Sequence, residues 1–170
     1  KDEIKSPEMQ QLISDMWETM EHAGGIGLAA PQISLSIQLA VIKVPQESER
    51  YPESEESSEF IIFNPRITYL TEDIHGFWEG CLSVPNMRGK VRRKAEIQID
   101  YIDREGTPHQ RLVRGITAGT YQHEIDHLLG KVFLDRVFDS TSLCTWQEFD
   151  RHHREDFVKE AEAVVAKYGS

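Results

Sequence analysis

Residues 122–127 have the sequence Gln-His-Glu-Ile-Asp-His, which contains the pattern His-Glu-x-x-His. Histidines at positions i and i+4 lie one turn apart on the same face of an α-helix, so His123 and His127 are able to bind one divalent ion. Such an ion lowers the pKa of a water molecule towards neutrality, and Glu124 beside the first ligand would take and return the proton. The pattern therefore predicts a metal-dependent hydrolase.

The residues around this pattern predict a helix over positions 117–129, with Gly130 in the left-handed conformation that commonly ends a helix. Apolar residues such as Ile125 share the helix with the pattern, which favours a metal site over a chance match on a polar surface. Gln122 and Asp126 are expected to orient a histidine ring through hydrogen bonds. The metal pattern is therefore placed on an ordered helix.

A catalytic site of this class needs a third protein ligand, and the sequence offers more than one. Cys81 is the strongest candidate and lies in the segment Glu-Gly-Cys-Leu-Ser, residues 79–83, where the glycine allows the backbone to approach closely. Glu148 or Glu155 would serve instead in a metallopeptidase whose third ligand lies on a downstream helix. A third histidine three residues after Gly130 is not expected, because Phe133 occupies that position.

Helices are also predicted near both ends of the chain. Ser6 and Pro7 are typical of a helix start, and the apolar residues that follow have helical spacing as far as Gly24. This first helix is interpreted as scaffold. Residues 145–168 predict an amphipathic C-terminal helix.

The remaining segments are rich in β-branched residues or alternate between apolar and polar residues. Strands are expected at 37–44, 60–63, 67–70, 95–101, 109–113 and 132–134. A hairpin turn is expected at 104–106. The acidic and serine-rich segment 46–59 is expected to be a solvated loop without a catalytic role. With no internal repeat and no linker, residues 1–170 are predicted to form one domain.

The composition narrows the classes of function. The 170 residues carry a formal net charge of -10, which argues against binding along a nucleic-acid backbone. No apolar run approaches the roughly 20 residues that a membrane span requires, and no signal peptide is recognisable after Lys1. Cys81 and Cys144 are too few for a disulfide framework, although one bridge between them is conceivable, and they suit a reducing compartment.

Three segments together resemble the peptide deformylase family. They are residues 25–32, which match Gly-x-Gly-Leu-Ala-Ala-x-Gln, residues 79–83 and residues 122–127. The resemblance extends from about residue 7 to residue 135. It implies an α+β fold in which antiparallel strands surround a central metal-binding helix. It also implies an enzyme that removes the formyl group from the N-terminal formylmethionine of newly made polypeptides and releases formate.

The resemblance further implies a complete set of ligands. Cys81, His123 and His127 would bind one divalent ion per chain, with Fe(II) as the native metal and Zn(II), Ni(II) or Co(II) as alternatives. Glu124 would be the acid and base residue. A noncatalytic peptide-binding or metal-binding domain is the third alternative, and it is disfavoured because Gln32, Glu124 and Cys81 are all intact.

The remaining residues of the family motifs are expected to bind the substrate. The side-chain amide of Gln32 and the backbone N–H of Leu82 would donate hydrogen bonds to the oxyanion formed on the formyl carbonyl. Gly27 would supply a backbone group to the substrate amide, and the main chain of Ile26 would pair with the peptide like an added strand.

A pocket for the methionine side chain is expected beside the metal. Phe77, Gly119 and Thr120 are predicted to form its wall, because two of them lie one turn before His123. Arg88 would either hold the substrate backbone or pair with an acidic residue.

The expected partners are N-formylmethionyl nascent peptides near the ribosome exit, with no direct binding to nucleic acid or membrane. A bacterial-type enzyme would be cytoplasmic, and a eukaryotic one would be in the matrix or stroma of an organelle. Members of the family usually begin with a further segment before the first helix, and the sequence does not contain it.

Overall fold

The computed structural model describes residues 3–44, 58–72 and 74–169. Its helices are α1 (Pro7–His22), α2 (Gly115–Leu128), α3 (Trp146–His152) and α4 (Arg154–Tyr168). Its strands are β1 (Gly27–Ala29), β2 (Leu39–Val44), β3 (Ser58–Tyr69), β4 (Ile74–Cys81), β5 (Val84–Lys94), β6 (Glu96–Ile102) and β7 (Pro108–Arg114). No helix among these residues is long and apolar enough to span a membrane.

The first helix begins where the sequence predicts and ends at His22, two residues before the predicted end at Gly24. The Ser6 side chain accepts a hydrogen bond from the backbone N–H of Met9 at 3.2 Å, and Pro7 occupies the first turn, where no backbone donor is needed. The helix buries Ile13, Met16 and Met20 against the sheet. It therefore serves as scaffold.

Five strands form one antiparallel sheet in the order β1-β2-β3-β6-β7. Successive residues of β2 point to opposite faces, so Leu39 and Val41 pack with α1 while Ala40 and Ile42 pack with α2. The sheet is thus covered on both faces. This arrangement confirms the predicted antiparallel strands around a central helix.

The strands β4 and β5 form a separate two-stranded sheet, here called the β4–β5 hairpin. Its apolar side packs with α2 and α4 through Phe77, Val91, Ile116 and Ala161. The hairpin lies beside the helix that carries the metal pattern. It was not among the predicted strands, because its alternation is interrupted by charged residues that are nevertheless buried.

Several predicted elements differ in the structure. The segments 60–63 and 67–69 belong to the single strand β3, which contains a bulge beside Asn64, whose φ is +50°, and Leu70 lies just beyond its end. The predicted strand at 132–134 is wrong, since Phe133–Arg136 is a 3₁₀ turn capped by the Asp135 carboxylate, which accepts from the Val132 N–H at 2.9 Å.

The C-terminal region and the loop also need correction. Residues 145–168 form two helices instead of one, with a break at His153. The predicted loop at 46–59 lies outside the described residues, except that its last two belong to β3. Cys81 and Cys144 are both free thiols, so no bridge joins them.

Candidate metal centre

The helix α2 and the end of β4 bring three potential metal ligands together. His123 and His127 share one face of α2, and their Nε2 atoms are 3.3 Å apart. Cys81 is the last residue of β4, and its Sγ atom lies 3.3 Å from Nε2 of His127. The three donor atoms all lie within 4.8 Å of one another.

This donor set fits a tetrahedral ion. Bonds of about 2.0–2.3 Å to nitrogen and sulfur separate neighbouring donor atoms by roughly 3.3–3.7 Å, which agrees with the two distances of 3.3 Å. A catalytic site of this type uses three protein ligands and keeps one position open. A thiolate with two imidazoles suits a borderline or soft divalent metal. The residues therefore fit a single ion.

The electrostatics of Cys81 favour the form that binds metal. Burial disfavours ionisation of the thiol, but hydrogen bonds with His123 and His127 outweigh it and lower the pKa of Cys81 to about 6. Only the thiolate is a strong metal ligand. The neighbouring rings thus support a thiolate at neutral pH.

A buried glutamate orients the first histidine. Glu79, whose side chain is 1% exposed, accepts from Nδ1 of His123 at 2.7 Å, which leaves Nε2 directed at the metal position. Burial opposes its charge, but Arg93, which donates to both of its oxygens at 2.9 Å, and His123 keep the pKa of Glu79 well below its usual range. Sequence reasoning missed this role, although positions 79 and 81 share one face of a strand.

The structure assigns other tasks to the two residues that were expected to orient a ring. Asp126 accepts from Arg93 at 2.5 Å and from Nε of Arg136 at 2.9 Å. The Gln122 side chain binds the backbone N–H and C=O of Lys94 at 3.1 and 2.9 Å. That prediction was wrong for both, because each faces β5 and away from the histidines. Asp126 acts indirectly, since Arg93 joins it to Glu79.

Glu124 lies beside the three donors and is 4% exposed. Burial raises the pKa of its carboxyl above the ordinary value. Its Oε2 atom is buried and has no hydrogen-bond partner within the described part of the chain, so an acceptor is available there for a water or a substrate. Gly27 makes room for this carboxylate, because a Cβ at that position would overlap Glu124.

Gln32 is held with its amide directed towards the thiolate. Its Oε1 accepts from the backbone N–H of Ala29 at 2.8 Å, so its Nε2 faces Ser83, to which it donates at 3.0 Å, and lies 3.9 Å from Sγ of Cys81. Leu82 follows Cys81 in the turn between β4 and β5, and its side chain is exposed. The Gln32 amide therefore lies beside the sulfur, and Leu82 is the next residue after Cys81.

A cleft of about 850 Å³ opens onto these groups. Ile26, Gly27, Thr120 and Arg88 line it together with the metal donors Cys81 and His123. On the same side of the molecule, β1 is an edge strand of the five-stranded sheet. The cleft thus combines a metal centre with a strand edge.

The structure does not bring all the predicted pocket residues to this cleft. Phe77 is buried with Val91 and Ile116 in an apolar cluster behind it. A Cβ at Gly119 would lie 3.7 Å from the Phe77 ring, so these two residues contact each other. Of the three residues predicted to form the wall of the methionine pocket, Thr120 lines the cleft, and Phe77 and Gly119 do not.

Arg88 occupies an aromatic site at the far end of the cleft. Its guanidinium lies 4.4 Å from the Trp146 ring centre, 4.0 Å from that of Phe149 and 5.2 Å from that of Phe157. It also donates to the Trp78 carbonyl at 3.4 Å. The first two rings come from α3 and the third from α4, so the C-terminal helices complete this end of the cleft.

The downstream glutamates lie away from the metal donors. Glu148 is half exposed and pairs with Arg151 at 3.3 Å, and Glu155 is exposed in the first turn of α4. The described residues contain one cluster of three potential ligands, and it uses Cys81. The metallopeptidase alternative is therefore not favoured.

Comparison with known proteins yields one consistent family. The family model described as polypeptide deformylase matches residues 1–142. A peptide deformylase of Leptospira biflexa is 45% identical over 146 residues, covering 86% of this chain and 81% of that protein. Peptide deformylase 2 of Pseudomonas putida is 46% identical over 136 residues, covering 80% and 76%.

Solved structures agree with this result. A class I type b peptide deformylase from Acinetobacter baumannii, crystallised with Met-Ala-Ser, has a TM-score of 0.72 and 33% identity, covering 78% of this chain and 83% of that one. A peptide deformylase from Synechococcus elongatus in complex with actinonin has a TM-score of 0.70 and 32% identity, covering 97% and 75%.

Proposed function

The chain belongs to the peptide deformylase family, and on that premise we propose how its residues share the removal of the formyl group from an N-terminal formylmethionine. The activity of the family is the hydrolysis of this formamide, which releases formate. The observation that carries the proposal is the convergence of three metal donors with a buried carboxylate oxygen that lacks a partner among the described residues.

Cys81, His123 and His127 are the proposed metal ligands. When bound, a divalent ion supplies Lewis acidity and lowers the pKa of a water molecule. Glu79 holds the His123 ring in the orientation that presents Nε2 to the ion. One ion per chain follows from the single cluster of donors in the described residues.

Fe(II) is the proposed native metal, and Zn(II), Ni(II) and Co(II) are the proposed substitutes. The support is the donor set, because a thiolate donates more charge than a carboxylate and accommodates each of these ions. Metal analysis of the protein purified without oxygen tests this assignment.

Glu124 is the proposed general acid and base. Its raised pKa brings the carboxyl closer to neutral pH, where a group can both accept and return a proton. The free Oε2 atom is the position at which it would take the proton from water and then deliver it to the amine that leaves.

Gln32 and the backbone N–H of Leu82 are the proposed donors to the oxyanion of the formyl carbonyl. The hydrogen bond from Ala29 fixes the Gln32 amide before any substrate arrives, so little reorganisation is needed during the reaction. Gly27 begins the edge strand β1 and Ile26 immediately precedes it, which supports pairing of their main chain with an extended peptide.

The methionine side chain is proposed to lie against Thr120. Phe77 and Gly119 support that wall from behind, and Arg88 borders the path of the following residues.

We also propose that residues 1–170 form one catalytic domain, since α2 contributes to two of the three apolar clusters. Formylated N-termini occur on newly made chains, so the proposed place of action is the cytoplasm near the ribosome exit.

Formate release from a formyl-Met peptide, measured without oxygen and with metal content determined in parallel, tests these roles. Glu124→Ala is expected to keep its metal and lose most activity, about 10²-fold or more. Cys81→Ser is expected to lose metal and activity together. A fully metallated wild type that releases no formate contradicts the activity, and a Cys81→Ser variant with full metal load contradicts the ligand set.

A further inference from the structure

A second concavity lies on the side of α2 away from the metal donors. Gln122, Ile125, Asp126 and Leu129 have the spacing of one helix face, and they line a cavity of about 530 Å³ between α2, β3 and β5. This volume lies within the usual range for small-molecule sites, roughly 300–1,000 Å³. Its size permits an organic ligand.

More basic than acidic residues line this cavity, although acidic residues outnumber basic ones in the chain. The sequence has 19 Lys and Arg residues and 29 Asp and Glu residues. Among the described residues that line the cavity, five are basic and one is acidic. The basic residues are Arg66, Arg92, Arg93, Lys94 and Arg136, and the acidic residue is Asp126. In a chain with a net charge of -10, this reversal of sign indicates an anionic ligand.

Three of these cations already have carboxylate partners. Arg93 and Arg136 share Asp126, and Lys94 pairs at 2.9 Å with Glu72, whose side chain is fully exposed. Arg93 also pairs with Glu79 at 2.9 Å, so these three cations are balanced by three carboxylates and add little net potential for a ligand.

Arg66 and Arg92 are exposed, and neither guanidinium has a carboxylate within 4 Å in the described ranges. The Arg92 guanidinium lies 4.4 Å from the centre of the Phe138 ring. This contact uses the flat face of the guanidinium and does not occupy its N–H donors, which point outwards in its plane. Asp100 lies opposite Arg66 in the β3–β6 ladder, but its Oδ1 accepts from Gln110 at 2.8 Å. These two guanidinium groups are the available donors, and their planar forks match carboxylate and phosphate oxygens.

The rest of the wall is apolar. Pro65, Ile67 and Ile125 line it, and two large side chains that flank it, Tyr69 and Leu129, are 56% and 61% exposed. Exposed apolar groups beside cations suit a ligand that has both a charged and a flat or apolar part. An inorganic ion alone would leave these walls uncovered.

We propose that this cavity binds a small organic dianion. Its phosphate or carboxylate oxygens accept hydrogen bonds from Arg66 and Arg92, and its apolar part lies against Tyr69 and Leu129. Because α2 separates this cavity from the metal donors, the two sites are distinct.

Isothermal titration calorimetry of the metal-loaded full chain with phenyl phosphate and with phthalate tests the proposal. Each probe carries an aromatic ring. The probe that binds more tightly shows whether the cavity prefers a phosphate or a pair of carboxylates. One-to-one saturable binding of at least one is expected, with weaker binding of inorganic phosphate and none of phenol. Saturable binding of neither dianion, or equal binding of phenol, overturns the proposal.

The double variant Arg66→Gln/Arg92→Gln locates the site. It is expected to weaken the better probe about tenfold or more, since both direct ionic contacts are removed, and to leave formate release unchanged. The matched control is Arg104→Gln/Arg111→Gln, two exposed arginines near the β6–β7 turn, and it is expected to bind as the wild type does. Undiminished binding by the first double variant, or an equal loss in the control, contradicts this location.

Discussion

The five-stranded sheet and the β4–β5 hairpin bury different kinds of residues. In the sheet, Leu39 and Val41 face one helix and Ile42 faces another, and all three are fully buried. In the hairpin, the buried residues include Glu79 and Arg93, which are 1% and 3% exposed. The sheet is held by apolar area, whereas the hairpin combines an apolar side with a chain of buried, paired charges.

This difference separates stability from the placement of the proposed metal ligands. Apolar burial has no direction, so it stabilises the sheet without defining the orientation of any one group. Paired charges act only at defined distances and angles, and the pair of Glu79 and Arg93 thereby fixes the His123 ring. The hairpin therefore orients the side chains of the site, and the sheet stabilises the helix α2 that carries two of them.

The largest effect is expected from Glu79→Ala in the hairpin. The variant leaves Arg93 buried without its main partner, which typically costs about 3–5 kcal/mol in the free energy of unfolding. Loss of the acceptor for His123 is also expected to lower metal affinity about 10- to 100-fold. Urea unfolding of the metal-free protein and a chelator competition measure the two quantities.

The matched control for that variant is Glu96→Ala on β6. Glu96 pairs at 2.7 Å with Arg114, whose side chain is half exposed, so a loss of less than about 1 kcal/mol is expected, with no change in metal affinity. Equal losses in the two variants would remove the distinction between the hairpin and the sheet.

A comparable loss of stability, without a loss of metal affinity, is expected from Ile97→Ala in the sheet. Ile97 is fully buried, and its truncation leaves a cavity that costs about 3 kcal/mol. Leu112→Ala on β7 is the control, because Leu112 is 46% exposed and should cost roughly 0.5 kcal/mol or less. A weakened metal affinity in Ile97→Ala would show that apolar packing also positions the ligands.

A smaller effect is expected from Arg136→Gln at the outer end of the charge chain. Arg136 donates to both oxygens of Asp126, but its side chain is 35% exposed and Arg93 remains as a second partner. The expected loss is about 1 kcal/mol, and metal affinity should fall less than in Glu79→Ala. Chelator competition on both variants ranks them, and a reversed order would contradict the role of Glu79 as the nearer partner.

The smallest effect is expected from Asp103→Asn in the turn between β6 and β7. Burial disfavours the carboxylate, but backbone N–H groups of Thr107 and Glu105 and the His109 ring outweigh it and lower the pKa of Asp103 below 3.8. A lowered pKa stabilises the fold above pH 3.8, and this contribution is lost as the pH falls through the lower folded value.

The expected difference between the wild type and Asp103→Asn is about 0.5–1 kcal/mol at pH 7 and smaller at acidic pH. Urea unfolding at a series of pH values measures it. A difference that is constant with pH would mean that the charge of Asp103 is unimportant in this turn.

The sequence predicts most of the sheet and little of the hairpin, and the two kinds of burial explain why. Strands such as β6 alternate between apolar and polar residues, so their position is visible in a single segment. In β5, Arg93 is as buried as a core residue, and its position makes sense only once Glu79 and Asp126 are known to be its partners. The misplaced strand at 132–134 has a similar cause, because Asp135 caps a turn there.

The site divides in the same way. The sequence by itself predicted two of the proposed ligands and the proposed acid, because the spacing of His123, Glu124 and His127 is a local property of a helix. Only the tertiary structure decided that Glu79 orients His123 and that Arg93 joins Asp126 to Glu79. It also decided that a second cavity, lined by basic residues, lies on the other side of α2 from the metal donors. These contacts join residues far apart in the chain, and they depend on how strands and helices pack after each has formed.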